Sequence, residues 1–172
     1  ILIEAITGKS YVEAVYEQLL TPLGLSGLRL ANTYDPGPGE VLHPSTPDRN
    51  YMETLGGAGS WIASPTDLVT ILSSLDYSTS GFKPLEPNTV ALMETPVGGA
   101  AGQRGYGLGL ISYGNGRYGH TGTIENTHAM VLNRSDGVIW SITVSGPYPD
   151  DTSQLEAIIN RAFEAAGFIS GQ

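Results

Sequence analysis

Tyr118-Gly119-His120-Thr121-Gly122-Thr123 sets an imidazole and a threonine hydroxyl between two glycines, with a second threonine directly after them. The stretch follows Asn115-Gly116, a dipeptide suited to a tight hairpin turn, so it should open the return strand of a β-hairpin. Glycine gives a sheet interior nothing to pack. A strand that begins this way suits a place where a ligand lies along the backbone and meets a hydroxyl, an imidazole and free N–H groups together. The plainer alternative is a strand end with a hydrogen-bonded histidine.

Other residues carry chemistry in type but not in spacing. Ser80-Gly81-Phe82-Lys83 spells a serine and a lysine one helical turn apart, but Lys83 precedes Pro84, which disfavours helical backbone there, and Gly81 weakens a helix further. Tyr113-Gly114-Asn115 falls in the hairpin turn itself. Ser60 has no base identified beside it and is rejected as a nucleophile. His43 falls in a Pro- and Gly-rich loop and reads as a surface residue. His43, His120 and His128 show no helical ligand spacing, and cysteine is absent, so neither a metal nor another cofactor is expected.

The elements that must position these groups follow from local signals. Leu2, Ile3, Ala5 and Ile6 before Thr7-Gly8 read as the last turns of a helix closed by glycine. No N-cap precedes them, so the chain reads as starting inside a helix, with something upstream expected. Ser10 to Glu13 forms a capping box, and Val12, Val15, Tyr16, Leu19 and Leu20 make an amphipathic stripe ended by Pro22 and Gly24. Residues Leu30 to Thr54 read as a long irregular segment. Ser64-Pro65-Thr66-Asp67 opens a helix carrying Leu68, Ile71, Leu72 and Leu75, and Pro87 to Met93 is a shorter one ending near Pro96.

In the second half the period changes. Tyr106, Leu108 and Leu110 alternate with glycines as one half-buried strand. The strand from Tyr118, its continuation through His128 to Leu132, a turn at Asp136-Gly137 and a return from Val138 to Ser145 predict a three-stranded antiparallel meander. A last helix starts near Asp151 and buries Leu155, Ile158, Ile159, Ala162 and Phe163 before Gly167. The fold class is therefore α+β, a single domain over residues 1–172, with an antiparallel sheet of about three strands flanked by helices.

Composition narrows the function classes. The chain has 172 residues, 40% hydrophobic and 15% charged, with net charge −9. Two lysines and six arginines, none in a run, leave nothing to neutralise a phosphate backbone, so nucleic acid is not an expected partner. No apolar run reaches the length of a membrane-spanning helix, and no targeting segment is evident.

Four blocks, in order, resemble one family. Ile6-Thr7-Gly8-Lys9-Ser10-Tyr11 with Pro22-Leu23-Gly24-Leu25 looks like the segment after the second active-site motif of serine β-lactamase-like hydrolases. That group contains class C β-lactamases, D-alanyl-D-alanine carboxypeptidases, D-aminopeptidases and related esterases. Gly56-Gly57-Ala58-Gly59-Ser60 through Asp67-Leu68, then Tyr106-Gly107-Leu108-Gly109-Leu110, then Gly119-His120-Thr121-Gly122 resemble its later blocks. Thr123-Ile124-Glu125-Asn126 departs from the usual glycine-rich continuation.

The resemblance implies a partial β-lactamase/transpeptidase-like fold and acyl transfer by a serine of Ser-x-x-Lys, assisted by Tyr-x-Asn. It implies that His120 and Thr121 meet the substrate or its carboxylate, that Gly122 lets the backbone approach, and that the Thr123 N–H forms half of an oxyanion hole. Histidine in place of lysine in this motif does not select a substrate. The serine, lysine and tyrosine are not found, so the chain reads as the C-terminal half of a serine hydrolase acting on an amide, ester or β-lactam, inactive alone. A non-catalytic module that binds peptide or cell-wall fragments is the alternative. Expected partners are the N-terminal half of the same domain, or a second copy through an open sheet edge, and a small peptide, ester or β-lactam substrate. An extracytoplasmic setting is what the family implies.

Overall fold

The computed structural model describes residues 1–33, 36–41, 52–124, 126–146 and 153–168. His43, Glu125 and the expected helix start at Asp151 lie outside them.

The N-terminal third forms as its local signals dictate. Helix α1 (Leu2–Thr7) is closed by Gly8 in the left-handed conformation, with the Gly8 N–H donating to the Glu4 carbonyl. Ser10 caps α2 (Tyr11–Val15) by a complete capping box with Glu13. The helix then runs into a π-helical turn over Tyr16–Leu20. That wider turn keeps Val12, Val15, Tyr16 and Leu19 half-buried and seals Ala14 and Leu20. The side is covered by Trp61, whose ring meets Tyr11 and Tyr16 at 6.1 Å and whose Nε1–H donates to the Tyr11 hydroxyl at 2.9 Å. Trp61 stands on β2 (Trp61–Ile62), which pairs antiparallel with β1 (Arg29–Leu30). Between them α3 (Met52–Gly59), broken at Gly56, takes up the end of the stretch expected to be irregular.

Helix α4 (Pro65–Ser73) begins at the predicted cap: Ser64 Oγ accepts the Asp67 N–H, and the Asp67 carboxylate accepts the Ser64 N–H at 2.8 Å. It packs on the main sheet with Leu72 buried. Helix α5 (Pro87–Glu94) follows.

The main sheet has five strands in sequential order, not three: β3 (Arg104–Tyr106), β4 (Ile111–Gly114), β5 (Arg117–Ile124), β6 (Thr127–Asn133) and β7 (Ile139–Ser145), all antiparallel neighbours. Residues Tyr106 to Leu110 are not one strand but the close of β3 and a reversal into β4. The Gly107 N–H donates to the Leu110 carbonyl at 2.8 Å, and Gly109 takes a φ of 75° that side chains rarely adopt. A Cβ on Gly107 would stand 1.9 Å from the Met93 carbonyl oxygen. Leu108 is turned out and Leu110 in, so the apolar alternation marks a turn between two strands.

Both faces of the sheet are covered. On one, Met130, Leu132 and Trp140 pack against Leu155 of α6 (Ser153–Ala165), with Ile159 and Phe163 beside them. Ala162, expected to be buried, faces solvent, and Ile158 is half-buried. On the other face Leu72, Leu110 and Tyr118 form a second cluster with Leu75, Met93, Val131 and Ile139. Alternation along β6 sends Met130 and Leu132 one way and Val131 and Asn133 the other.

At the hairpin end of β5, a shallow cavity of about 520 Å³ is lined by Asp76, Glu94, Tyr118, Asn133 and Arg134 among others. Asn133 Nδ2 donates to the Tyr118 hydroxyl at 2.7 Å. Burial, and then the charge of Asp76, raise the Glu94 carboxyl above the ordinary 4.5. The folded chain therefore holds this proton more tightly than the unfolded one. Below the ordinary value the carboxyl costs nothing; above the folded value its charge opposes folding. Glu94→Gln is expected to raise Tm at about pH 7, with the gain vanishing as pH falls below 4.5. Thermal melts across pH check this, and a lower Tm at neutral pH would show the carboxylate to be stabilising.

Two glycines of β5 separate sterically. A Cβ on Gly119 would lie 2.0 Å from the Val131 carbonyl oxygen on β6, whereas one on Gly122 meets nothing within 4 Å. In urea unfolding, Gly119→Ala should cost about 3 kcal/mol, the upper end for overpacking, and Gly122→Ala no more than about 0.5 kcal/mol. Equal losses would show that strand propensity, not the approach of β6, decides both positions.

Candidate active site

The predicted turn delivers the His-Thr-Gly stretch onto β5. Asn115 and Gly116 both have positive φ, 54° and 73°, and Gly114 stands opposite Arg117 across a two-residue reversal. Arg117 anchors the start of β5, donating to the Glu156 carboxylate on α6 at 2.7 Å and to the Tyr113 carbonyl. β5 is then paired with β6 from Tyr118↔Asn133 to Ile124↔Thr127. Its pairing with β4 reaches only Ile111↔Gly119. From His120 onward β5 therefore has no strand partner on that side among the described residues.

That edge is what His120, Thr121, Gly122 and Thr123 share. Their side chains do not share a face: His120 and Gly122 alternate with Thr121 and Thr123. His120 is half-buried. Its Nδ1 lies 2.6 Å from the Thr121 carbonyl oxygen, and its Nε2 lies 3.0 Å from the Tyr106 hydroxyl. The Tyr106 and His120 rings meet edge to face at 5.6 Å. The Thr123 hydroxyl turns to the other face, 3.3 Å from Nδ1 of the buried His128, its register partner on β6. What the stretch can do chemically is offer backbone N–H and C=O groups along an open edge, with an imidazole beside them and open space over Gly122.

Tyr106 is the residue that reading by spacing missed. It stands at the end of β3, more than half exposed, and its sequence context marks it as a strand position and part of a family block, not as a partner of His120. No local pattern links positions 106 and 120, because two strand reversals bring them together.

The lookalike motifs come apart. Ser80 to Lys83 is not helical, with Gly81 at φ 109°. The Lys83 ammonium instead ties the end of α4, donating to the Ser73 and Asp76 carbonyls at 3.1 and 2.5 Å and to the Thr79 hydroxyl at 2.8 Å. Tyr113 lies against the α6-side cluster with Arg104 over its ring, and burial raises its phenol above the ordinary value. Ser60 is wholly buried, its Oγ without a hydrogen-bond partner among the described residues. None of these serines is placed at the edge of β5.

Two solved structures share this arrangement of the chain. SurE is 25% identical with a TM-score of 0.68, over 95% of this chain and 42% of that one. SurE with D-Leu is 26% identical with a TM-score of 0.66, over 94% and 40%. The chain thus spans about two fifths of the length of each structure it matches. The sequence profile of the family described as Beta-lactamase matches residues 1–163, nearly the whole chain, and this protein chain belongs to that family.

Proposed function

We propose that this chain is the C-terminal portion of a serine hydrolase that acts by acyl transfer on an amide, ester or β-lactam. The bared edge of β5 from His120 to Ile124 forms one wall of the substrate cleft, and the nucleophile comes from outside this chain. The observation that carries the reading is that edge, paired on one side only among the described residues and flanked by an imidazole and an uncrowded glycine, in a chain of the Beta-lactamase family. A substrate backbone laid along it would find N–H and C=O groups at strand spacing. The serine oxygen attacks the carbonyl, the leaving amine, alcohol or ring nitrogen departs with a proton, and water or another nucleophile resolves the ester. The Thr123 N–H is one donor for the oxyanion. That one similar structure is of SurE with D-Leu supports a substrate presenting a D-configured residue. The outer edges of β3 and β7, unpaired among the described residues, would be covered by the remainder of the same domain or by a second copy.

Intact mass measurement after incubation with benzylpenicillin, or with an ester of a D-amino acid, tests the reading. The full-length protein should gain one acyl adduct on a serine outside residues 1–172. The isolated chain should gain none and should turn over neither nitrocefin nor p-nitrophenyl esters. Full-length protein that never acylates would overturn the hydrolase reading in favour of a binding module. Within an active protein, Thr123→Ala should leave turnover within a few-fold, whereas Thr123→Pro removes the backbone donor and should cost roughly 100-fold or more. Gly122→Ala, folded as well as wild type, should lower kcat/KM by about tenfold or more if the open space over Gly122 is where the substrate lies.

A further inference from the structure

The two contacts of His120 differ in kind, and the difference fixes the tautomer of its neutral form. The Thr121 carbonyl oxygen, 2.6 Å from Nδ1, can only accept, so Nδ1 carries the hydrogen. A neutral imidazole has one N–H, so Nε2 is the lone-pair nitrogen, and the Tyr106 hydroxyl 3.0 Å away must donate to it. Both ring nitrogens are then engaged, and neutral His120 has no hydrogen left to offer a ligand. The exposed group of the pair is the Tyr106 hydroxyl oxygen, which keeps its lone pairs.

Tyr106 is also held from behind. Its carbonyl accepts the Val97 N–H at 2.9 Å, and it pairs with Ile111, the residue opposite Gly119. Its ring stands edge to face with the imidazole, at an interplanar angle of 88°. The backbone thus places the phenol, and the phenol orients the imidazole.

We propose that Tyr106 is a positioning residue for the β5 wall. It locks His120 as the Nδ1–H tautomer, fixes the plane of its ring, and presents its own oxygen at the open side of the pair. The role in substrate handling rests on the acyl-transfer reading above; the tautomer does not.

The test uses full-length protein labelled with 15N-histidine, at a pH where the imidazole is neutral, with His120→Gln assigning the resonance. Wild type should show an Nδ1–H tautomer, with its Nε2 resonance displaced by an accepted hydrogen bond. In Tyr106→Phe that resonance should move toward the value of an unbonded ring nitrogen, while backbone amide shifts along β5 and β6 stay put. An Nε2–H tautomer in wild type overturns the proposal without recourse to any variant, as does an Nε2 resonance that does not move in folded Tyr106→Phe. On an acyl substrate, Tyr106→Phe should lower kcat by about tenfold, the worth of a single hydrogen bond. Unchanged turnover alongside the expected tautomer makes the pair a strand fastening and overturns the positioning role while leaving the hydrolase reading intact. Wild type that never acylates overturns the hydrolase reading, and with it the positioning role, with the tautomer still read independently by NMR.

Discussion

β5 is paired along its whole length with β6 but with β4 only as far as Gly119. The rest of the site depends on that asymmetry. A strand paired on one side is held in place yet has backbone donors and acceptors left on the other. Such an edge is normally a liability, and here it lies in the segment that carries His120 and Gly122. The close approach of β6 is possible because Gly119 has no side chain, so the glycine that adds nothing to packing is what lets the pairing form.

The edge stays in place because the sheet behind it is fastened from both faces. One face is closed by α6, through Leu155 and the Arg117–Glu156 ion pair, and the other by α4, through Leu72 and the cluster around Tyr118. The buried Asn133–Tyr118 hydrogen bond ties β5 to β6 next to this second cluster. Under the proposed acyl transfer, a backbone so braced would present its N–H groups without rearrangement, as stabilising a developing oxyanion requires.

The electrostatics divide in the same way. Asp76 and Glu94 line one cavity, yet burial and the neighbouring charge push Glu94 up, while hydrogen bonds from Ser78 and Asn133, with the charge of Lys83, outweigh burial at Asp76 and hold it down. That pair sits at the hairpin end of β5, where the hydrogen bonds of Lys83 also fasten the end of α4. The His120 end carries no ion pair among the described residues, and its polar contacts are a phenol, a carbonyl and the backbone edge.

The sequence by itself determined what short-range sterics and hydrogen bonding decide. The capping box at Ser10, the N-cap at Ser64, the glycine stop at Gly8, the Asn115-Gly116 reversal and the helix from Pro87 all formed as read, because each needs only its neighbours. The ordered blocks also carried the family. Only the tertiary structure decided the strand count, since Tyr106 to Leu110 alternates like a strand until the Met93 carbonyl crowds Gly107 and Gly109 reverses the chain. It likewise carried the Lys83 ammonium to the end of α4, where it meets the Ser73 and Asp76 carbonyls. The Tyr106–His120 pair belongs wholly to this second kind. Its residues lie on β3 and β5 with β4 between them, and the contact exists because two chain reversals carry the end of β3 back to the point where β4 stops covering β5.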